Sequence, residues 1–271
     1  MCFRRNLGCV ERGSAWALVT GSALGIGRQY AEQLAAKGYN LYLVDILDDI
    51  VREAEIIEHA HRVKCVAKVL DLATIDAAEK LHAETVAKGY TFDVVINNAG
   101  MFSHCDILTT PTERIERLIV LHDLTLTMMC RLYGEDMRQR GYGRILNMSS
   151  YSIWMPFPGL ALYSASKAYT KSFSVAFAKE MRYKNVWVTA VCPAGIATDL
   201  YGLNKEWQGI GLKLHALSTP SFCARRGLNS LWRKRMCIVP DWWCKAFIPI
   251  CGMLPHFAMN WLRNFTMKWQ K

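Results

Sequence analysis

The stretch Ala15-Trp16-Ala17-Leu18-Val19-Thr20-Gly21-Ser22-Ala23-Leu24-Gly25-Ile26-Gly27 joins a short apolar run to a glycine cluster, and an apolar-periodic segment follows it. The run has the length of a buried strand, and the segment after it reads as a helix. Glycines at such a junction let the backbone turn tightly and approach a ligand closely. A helix that begins there offers free N–H groups and the positive end of its dipole, so the arrangement suits a pyrophosphate. Gly21, Ser22, Leu24, Gly25, Ile26 and Gly27 are therefore candidate cofactor-binding residues. A glycine cluster alone suits a plain turn equally well, but here Asp45 ends the next apolar run, eighteen positions after Gly27. A carboxylate at that place can accept hydrogen bonds from the adenosine ribose. Asp48 and Asp49 are better placed than Asp45 to cap the next helix. A 2'-phosphate would meet the charge of Asp45 with only Ile46 and Leu47 after it, so the sequence favours NAD over NADP.

Outward from this stretch the chain alternates apolar runs (15–20, 40–44, 63–69, 93–97, 144–148 and 186–192) with helical patterns near 25–37, 48–60, 74–88, 112–140 and 160–183. Strand-helix alternation means a parallel sheet covered on both faces. The expected fold is α/β, a Rossmann-type doubly wound sheet in a single domain, with 14–200 as cofactor-binding and catalytic core and 201–271 as an extended C-terminal segment. In that segment Ser218, Thr219 and Pro220 suggest a helix start, and a short strand is expected at 236–239. Pro249 and Pro255 prevent the last thirty residues from forming one straight helix.

With 271 residues, 52% hydrophobic and 21% charged, the chain is too apolar to be disordered. It has no apolar run long enough for an ordinary membrane span. The net charge of +10 is concentrated: residues 201–271 hold 11 Lys and Arg against 2 Asp and Glu, and six of the nine Trp. The ten Cys form no CxxC pair and read as reduced thiols of a cytoplasmic protein. No apolar region follows the basic start as a signal peptide requires, and the scattered His do not make metal-ligand spacings, so no metal is expected.

Tyr163 and Lys167 are four apart in a segment of small residues that reads as helix, so both project from one face. An ammonium beside a phenol favours its anion and brings its pKa of about 10 toward the working range. Ser150 follows the 144–148 strand at the carboxyl edge of the sheet, thirteen residues before Tyr163. With these motifs, with Asp71 and Leu72, with Asn97-Asn98-Ala99-Gly100 and with 193–198 in order, the chain resembles the short-chain dehydrogenase/reductase family over roughly 14–200. The resemblance implies that Tyr163 gives or takes the proton, that Lys167 lowers its pKa and holds the nicotinamide ribose, and that Ser150 hydrogen-bonds the substrate oxygen. It implies that Asp71 and Leu72 border the adenine, that Asn98, Ala99 and Gly100 line the cofactor cleft, and that Pro193, Ile196 and Thr198 form the loop at the nicotinamide.

Two residues depart from the family pattern. The position of the family's catalytic Asn falls on His122, and no Asn occurs between Gly100 and Asn147. His122 can hold the same relay water, carry protons itself or fill the space, and the sequence leaves all three open. Ala194 stands where the family usually has Gly after Pro193.

The segment 199–217, with Tyr201 and Trp207, has the spacing of an apolar lid, and Tyr151, Ile153, Trp154, Met155 and Phe157 supply an opposite wall. Such walls suit a bulky apolar alcohol or ketone, with Trp154, Tyr201 and Trp207 as substrate contacts. The long C-terminus is similar to that of the branch holding hydroxysteroid dehydrogenases and long-chain ketoacyl reductases. A steroid or bile-acid alcohol is the leading expectation, a long-chain 3-ketoacyl or other lipid ketone the alternative, and a redox-silent NAD-binding scaffold at a membrane the reading of another class. The basic, Trp-rich end at 240–271 suits peripheral membrane contact, a pocket cover or the subunit interface of a homo-oligomer, and no nucleic-acid module accompanies it.

Overall fold

The computed structural model describes residues 11, 13–155, 157–198, 200, 205–214, 216–251, 259 and 264. Its seven-stranded sheet runs in the order β3-β2-β1-β4-β5-β6-β7, with every pairing parallel. The strands are β1 Trp16–Thr20, β2 Asn40–Asp45, β3 Cys65–Val69, β4 Val94–Asn97, β5 Gly143–Met148, β6 Val186–Val191 and β7 Cys237–Ile238. Between them lie α1 Gly25–Ala35, α2 Ile50–His61, α3 Ala77–Ala87, α4 Thr112–Ile119, α5 Leu126–Arg140 and α6 Ala161–Met181. Beyond β6 come α7 Lys205–Lys213, α8 Pro220–Trp232 and, after β7, α9 Trp242–Cys251. This is the Rossmann-type fold that the alternation predicts.

Alternate residues of each strand feed two cores. Ala17, Val19, Leu41, Leu43, Ile96 and Leu146 pack under α1, α2 and α8, whereas Leu18, Tyr42, Val44, Val95 and Ile145 pack under α3, α5 and α6. Each fully buried Leu or Ile contributes about 1.5–3 kcal/mol, which is why the central strands read as continuous apolar runs. The helix expected at 218–220 begins as predicted: the Thr219 hydroxyl accepts the Phe222 N–H at 3.2 Å, and Pro220 occupies the first turn.

The pattern at 112–140, expected as one helix, is interrupted by a π-helical turn at Val120–Thr125. The turn lets two polar side chains go inward with partners on other elements. Thr125 Oγ1 donates to the Leu72 carbonyl at 2.8 Å, and His122 is enclosed between the segment after β4 and α6. Apolar periodicity carries no sign of such an insertion. The third strand starts two residues later than expected, at Cys65, because Arg62 ends α2 in a left-handed conformation with φ 55° and the chain needs the intervening residues to turn.

Helix α1 lies against α8 through a contact that admits no extra atoms: a Cβ at Gly227 would stand 2.3 Å from the Tyr30 hydroxyl. We expect Gly227→Ala to destabilise the fold by about 1–3 kcal/mol in urea denaturation, and Tyr30→Phe to recover part of that loss when combined with it, because the colliding oxygen is gone. Equal losses with and without Tyr30→Phe would show that the collision is relieved elsewhere.

Candidate active site

The sheet order reverses between β1 and β4, and a cleft of about 840 Å³ opens at their carboxyl ends. Gly21, Leu24, Gly25, Asp45, Asp71, Leu72, Asn98, Ala99, Gly100 and Thr198 all line it. Gly21 turns at φ +64°, and a Cβ there would stand 2.7 Å from the Ala99 Cα. A Cβ on Gly27 would lie 1.9 Å from the Gly21 carbonyl oxygen, so only hydrogen fits where α1 leaves the loop. Leu24, at the start of α1, supplies no side-chain cap, and the first turn carries no acid. The amides there are left for an anion. Across the switch point, Asn98 Nδ2 donates to the Thr20 and Gly21 carbonyls at 3.0 and 2.9 Å, and the Thr20 hydroxyl accepts the Ala99 N–H at 3.1 Å.

Asp45 accepts the Ala23 N–H at 2.8 Å on one oxygen and the Leu47 N–H at 3.1 Å on the other. These bonds orient the carboxylate and leave lone pairs for ribose hydroxyls. The glycine cradle, the uncapped amides and this acceptor fit a nicotinamide dinucleotide. One expectation needs correcting, since Asp45 does have a basic neighbour: Arg28, from the first turn of α1, lines the same cleft, as does Arg117. Arg28 is paired with Glu53 at 2.9 Å and Glu32 at 3.3 Å, and Arg117 with Asp71 at 2.9 Å. Sequence reasoning searched only the residues after Asp45, whereas the helix geometry brings a cation from upstream.

Not every residue of the motifs reaches the cleft. Ser22 is enclosed with its hydroxyl toward the Val44 carbonyl, Ile26 packs on the core, and Ile196 is buried in the same core. The Pro193 carbonyl accepts the Tyr151 N–H at 2.8 Å and so ties two loops together.

Behind Gly100 the polar side chains gather. Tyr163, Lys167, Ser150 and His122 are all buried, and a Cβ at Gly100 would approach His122 Nε2 to 3.1 Å and Lys167 Nζ to 3.4 Å. The Tyr163 hydroxyl stands beside Ser150, and Phe102 packs edge-on to its ring with centroids 5.0 Å apart. Burial pushes the Tyr163 phenol up to about 12, against the downward pull of Ser150. Lys167 Nζ lies 5.8 Å from the centre of the Tyr163 ring and donates to the Met148 carbonyl at 3.0 Å. Burial lowers its ammonium to about 8, opposed by the charges of Asp123 and Cys192. The sequence reading expected Lys167 to bring the phenol down, but here enclosure of the ring is the larger effect, and Ser150 rather than Lys167 opposes it.

Both ring nitrogens of His122 are in use. Nε2 accepts the Met101 N–H at 3.0 Å, which requires the proton to sit on Nδ1. Nδ1 then donates to Ser166 Oγ at 2.9 Å, and Ser166 passes its own proton to the Tyr163 carbonyl at 2.9 Å. Burial, reinforced by the Lys167 charge, holds the ring well below its ordinary pKa.

Of the expected substrate wall, Trp154 packs on Tyr151 with centroids 5.6 Å apart and belongs to a cluster with Val239, Trp243 and Cys244 of the chain end rather than to the cleft. Trp207 on α7 is half exposed, and Tyr201 lies outside the described residues, as does most of 252–271. Cys65, Cys105, Cys130, Cys192, Cys223, Cys237 and Cys244 form no disulfide, and among the described residues no metal-binding group of three occurs and no helix is long and apolar enough to cross a membrane.

The family model for "short chain dehydrogenase" matches residues 15–209. The chain belongs to the short chain dehydrogenase family. It is therefore a member of a family of oxidoreductases built on this nicotinamide-binding fold. It is similar to the "Very-long-chain 3-oxoacyl-CoA reductase" of Homo sapiens, 34% identical over 70% of this chain and 62% of that protein. It is likewise similar to the enzyme of the same name from Pyricularia oryzae, 33% identical over 69% of this chain and 57% of that protein. The chain thus spans about three-fifths of the length of these curated relatives. Among solved structures it superposes on a short-chain dehydrogenase from Sphingobium yanoikuyae in complex with NADPH, with TM-score 0.76 and 26% identity over 88% of this chain and 94% of that one.

The family member should keep His122 neutral throughout the physiological range. Nitrogen-15 NMR, assigned by difference from a His122→Gln protein, is expected to show one protonated and one bare ring nitrogen throughout the range in which a free imidazole titrates. A ring that titrates between pH 6 and 7 would contradict the hydrogen-bond assignment.

Proposed function

We propose that this short chain dehydrogenase interconverts a ketone and a secondary alcohol on a long, apolar acyl substrate, with NAD(H) as the preferred cofactor. One observation carries the reaction class: Tyr163 stands beside Ser150 and four residues before buried Lys167, behind Gly100 of the glycine-lined cleft. The cofactor, when bound, supplies or accepts the hydride. The chain's own residues position the substrate oxygen and handle its proton.

At neutral pH a phenol held up at about 12 keeps its proton, which suits donation to the oxygen of a ketone being reduced. Ser150 Oγ holds that oxygen beside the phenol and is itself oriented by the Ser152 N–H at 3.1 Å. Lys167 holds the ribose at the nicotinamide end and places positive charge where the phenolate would form. His122, with both nitrogens occupied, acts as a strut between Met101 and the Ser166-Tyr163 turn rather than as a proton carrier or a water ligand.

The names of the curated relatives support a lipid ketone over the hydroxysteroid that the long C-terminus suggested. The apolar character of 199–217 suits either, but an acyl chain needs a narrow greasy path rather than a broad flat one. For the cofactor, Asp45 at the ribose and the pairing of both cleft guanidiniums with carboxylates support NAD, whereas the neighbour from Sphingobium yanoikuyae carries NADPH.

A panel of long-chain 3-ketoacyl thioesters and 3-ketosteroids, read by NADH and NADPH absorbance, tests the reading. Turnover of the acyl ketones with a higher kcat/KM for NADH is expected. Tight NADH binding without turnover of any ketone would instead favour a redox-silent scaffold. Tyr163→Phe should lower turnover by at least about a thousandfold and leave NADH binding within about threefold, because only the proton donor is removed.

The Lys167 ammonium is present below its pKa of about 8 and is lost above it. Reduction should therefore decline as pH rises through about 8, and Lys167→Arg should move that decline beyond the measurable range. A flat profile to pH 10 in the parent enzyme would remove Lys167 from the chemistry.

A further inference from the structure

Arg28 lies in the cleft whose rim carries Asp45, and its Nε stands against Glu53 of α2. Glu53, which receives it at 2.9 Å, is a buried carboxylate on the second helix and does not line the cleft. Glu32, one helical turn along α1, takes the same nitrogen at 3.3 Å and is itself held by Gln29 Nε2 at 2.6 Å. Across the cleft the only other basic lining residue described, Arg117, is paired with Asp71, whose second oxygen accepts the Ala73 N–H at 2.8 Å. A buried carboxylate deprived of its cation is strongly unfavourable, so Arg28 cannot leave Glu53 for another anion without stranding it.

We propose that Glu53 is a specificity-determining residue for cofactor choice: by pairing with Arg28 it leaves the adenosine end of the cleft without an uncompensated cation and so selects against a 2'-phosphate. The inference rests on the NAD reading and adds to it. Asp45 repels the phosphate directly, whereas Glu53 withholds the group that would otherwise offset that repulsion. The sequence already carries a guanidinium for NADP, and the carboxylates around it decide that it is not used.

Calorimetric titration of the full chain with adenosine 2',5'-bisphosphate and with AMP separates the two contributions without any turnover. Wild-type protein is expected to bind AMP the more tightly. Glu53→Gln keeps the shape of the side chain but frees the guanidinium, and should tighten the bisphosphate by about fivefold or more, the scale of one charge-assisted hydrogen bond, with AMP changed less than about twofold. Adding Arg28→Ala to that variant should remove the gain. Arg28→Ala alone, which leaves Glu53 and Glu32 without their cation, should not tighten the bisphosphate.

If Glu53→Gln does not give a folded protein by circular dichroism, Glu32→Gln, at the exposed side of the same pair, should shift the ratio in the same direction by a smaller factor. An unchanged ratio in the folded carboxylate variant, a gain that survives loss of Arg28, or a tighter bisphosphate in Arg28→Ala alone would each overturn the role of Glu53. A wild type that favours the bisphosphate overturns the NAD reading along with it. A wild type that favours AMP, with a ratio that Glu53→Gln leaves unchanged, overturns only the inference about Glu53.

Discussion

Everything at the cleft depends on how closely three pieces of backbone meet at the switch point of the sheet. Gly21 leaves β1 with positive φ and would touch the Ala99 Cα with a Cβ of its own, while Gly27 of α1 lies directly against the Gly21 carbonyl. That packing brings the first amides of α1, the end of β2 with Asp45 and the turn after β4 within reach of one dinucleotide. The Thr20 hydroxyl and the Asn98 amide fasten the same junction by hydrogen bonds across it. A methyl group at either glycine would push the loop off the turn and separate the phosphate amides from the ribose acceptor.

Below that junction, burial sets the chemistry. Tyr163 and Lys167 are enclosed together, and the low dielectric acts on them in opposite directions, up for the phenol and down for the ammonium. The result is a phenol that stays protonated at neutral pH beside a cation whose charge can be lost in the mildly alkaline range. A polar chain supports the pair from beneath: Asn97 donates to Asn147 at 2.8 Å, Asn147 to Ser174 at 2.8 Å, and Ser174 to the Thr170 carbonyl at 2.6 Å. This ties β4 and β5 to the helix that carries both catalytic candidates, so their relative placement is set by buried hydrogen bonds between elements rather than by helix propensity alone.

Charge placement likewise reads differently in three dimensions. The +10 of the whole chain belongs to its end, and the cations that do reach the cleft, Arg28 and Arg117, arrive already neutralised by Glu32, Glu53 and Asp71. The described part of the C-terminal segment supports the body: β7 extends the sheet beside β6, and α9 packs Trp243 and Cys244 against Tyr151 and Trp154. Aromatic residues that read as a substrate wall in one dimension are therefore partly the contact between the catalytic loop and the chain end.

The sequence by itself determined the succession of strands and helices, the glycine cradle, Asp45 and the Tyr163 and Lys167 pair, because each is encoded by short-range spacing: period two or 3.6, a Gly at a positive-φ turn, two side chains one helical turn apart. Only the tertiary structure decided the π-helical turn at Val120–Thr125, the neutral tautomer of His122 and the capture of Arg28 by Glu53. Those depend on which groups from distant segments share a buried space. A pairing between residues 28 and 53, or between 101 and 122, leaves no periodic mark in the chain and exists only once the helices are packed on the sheet.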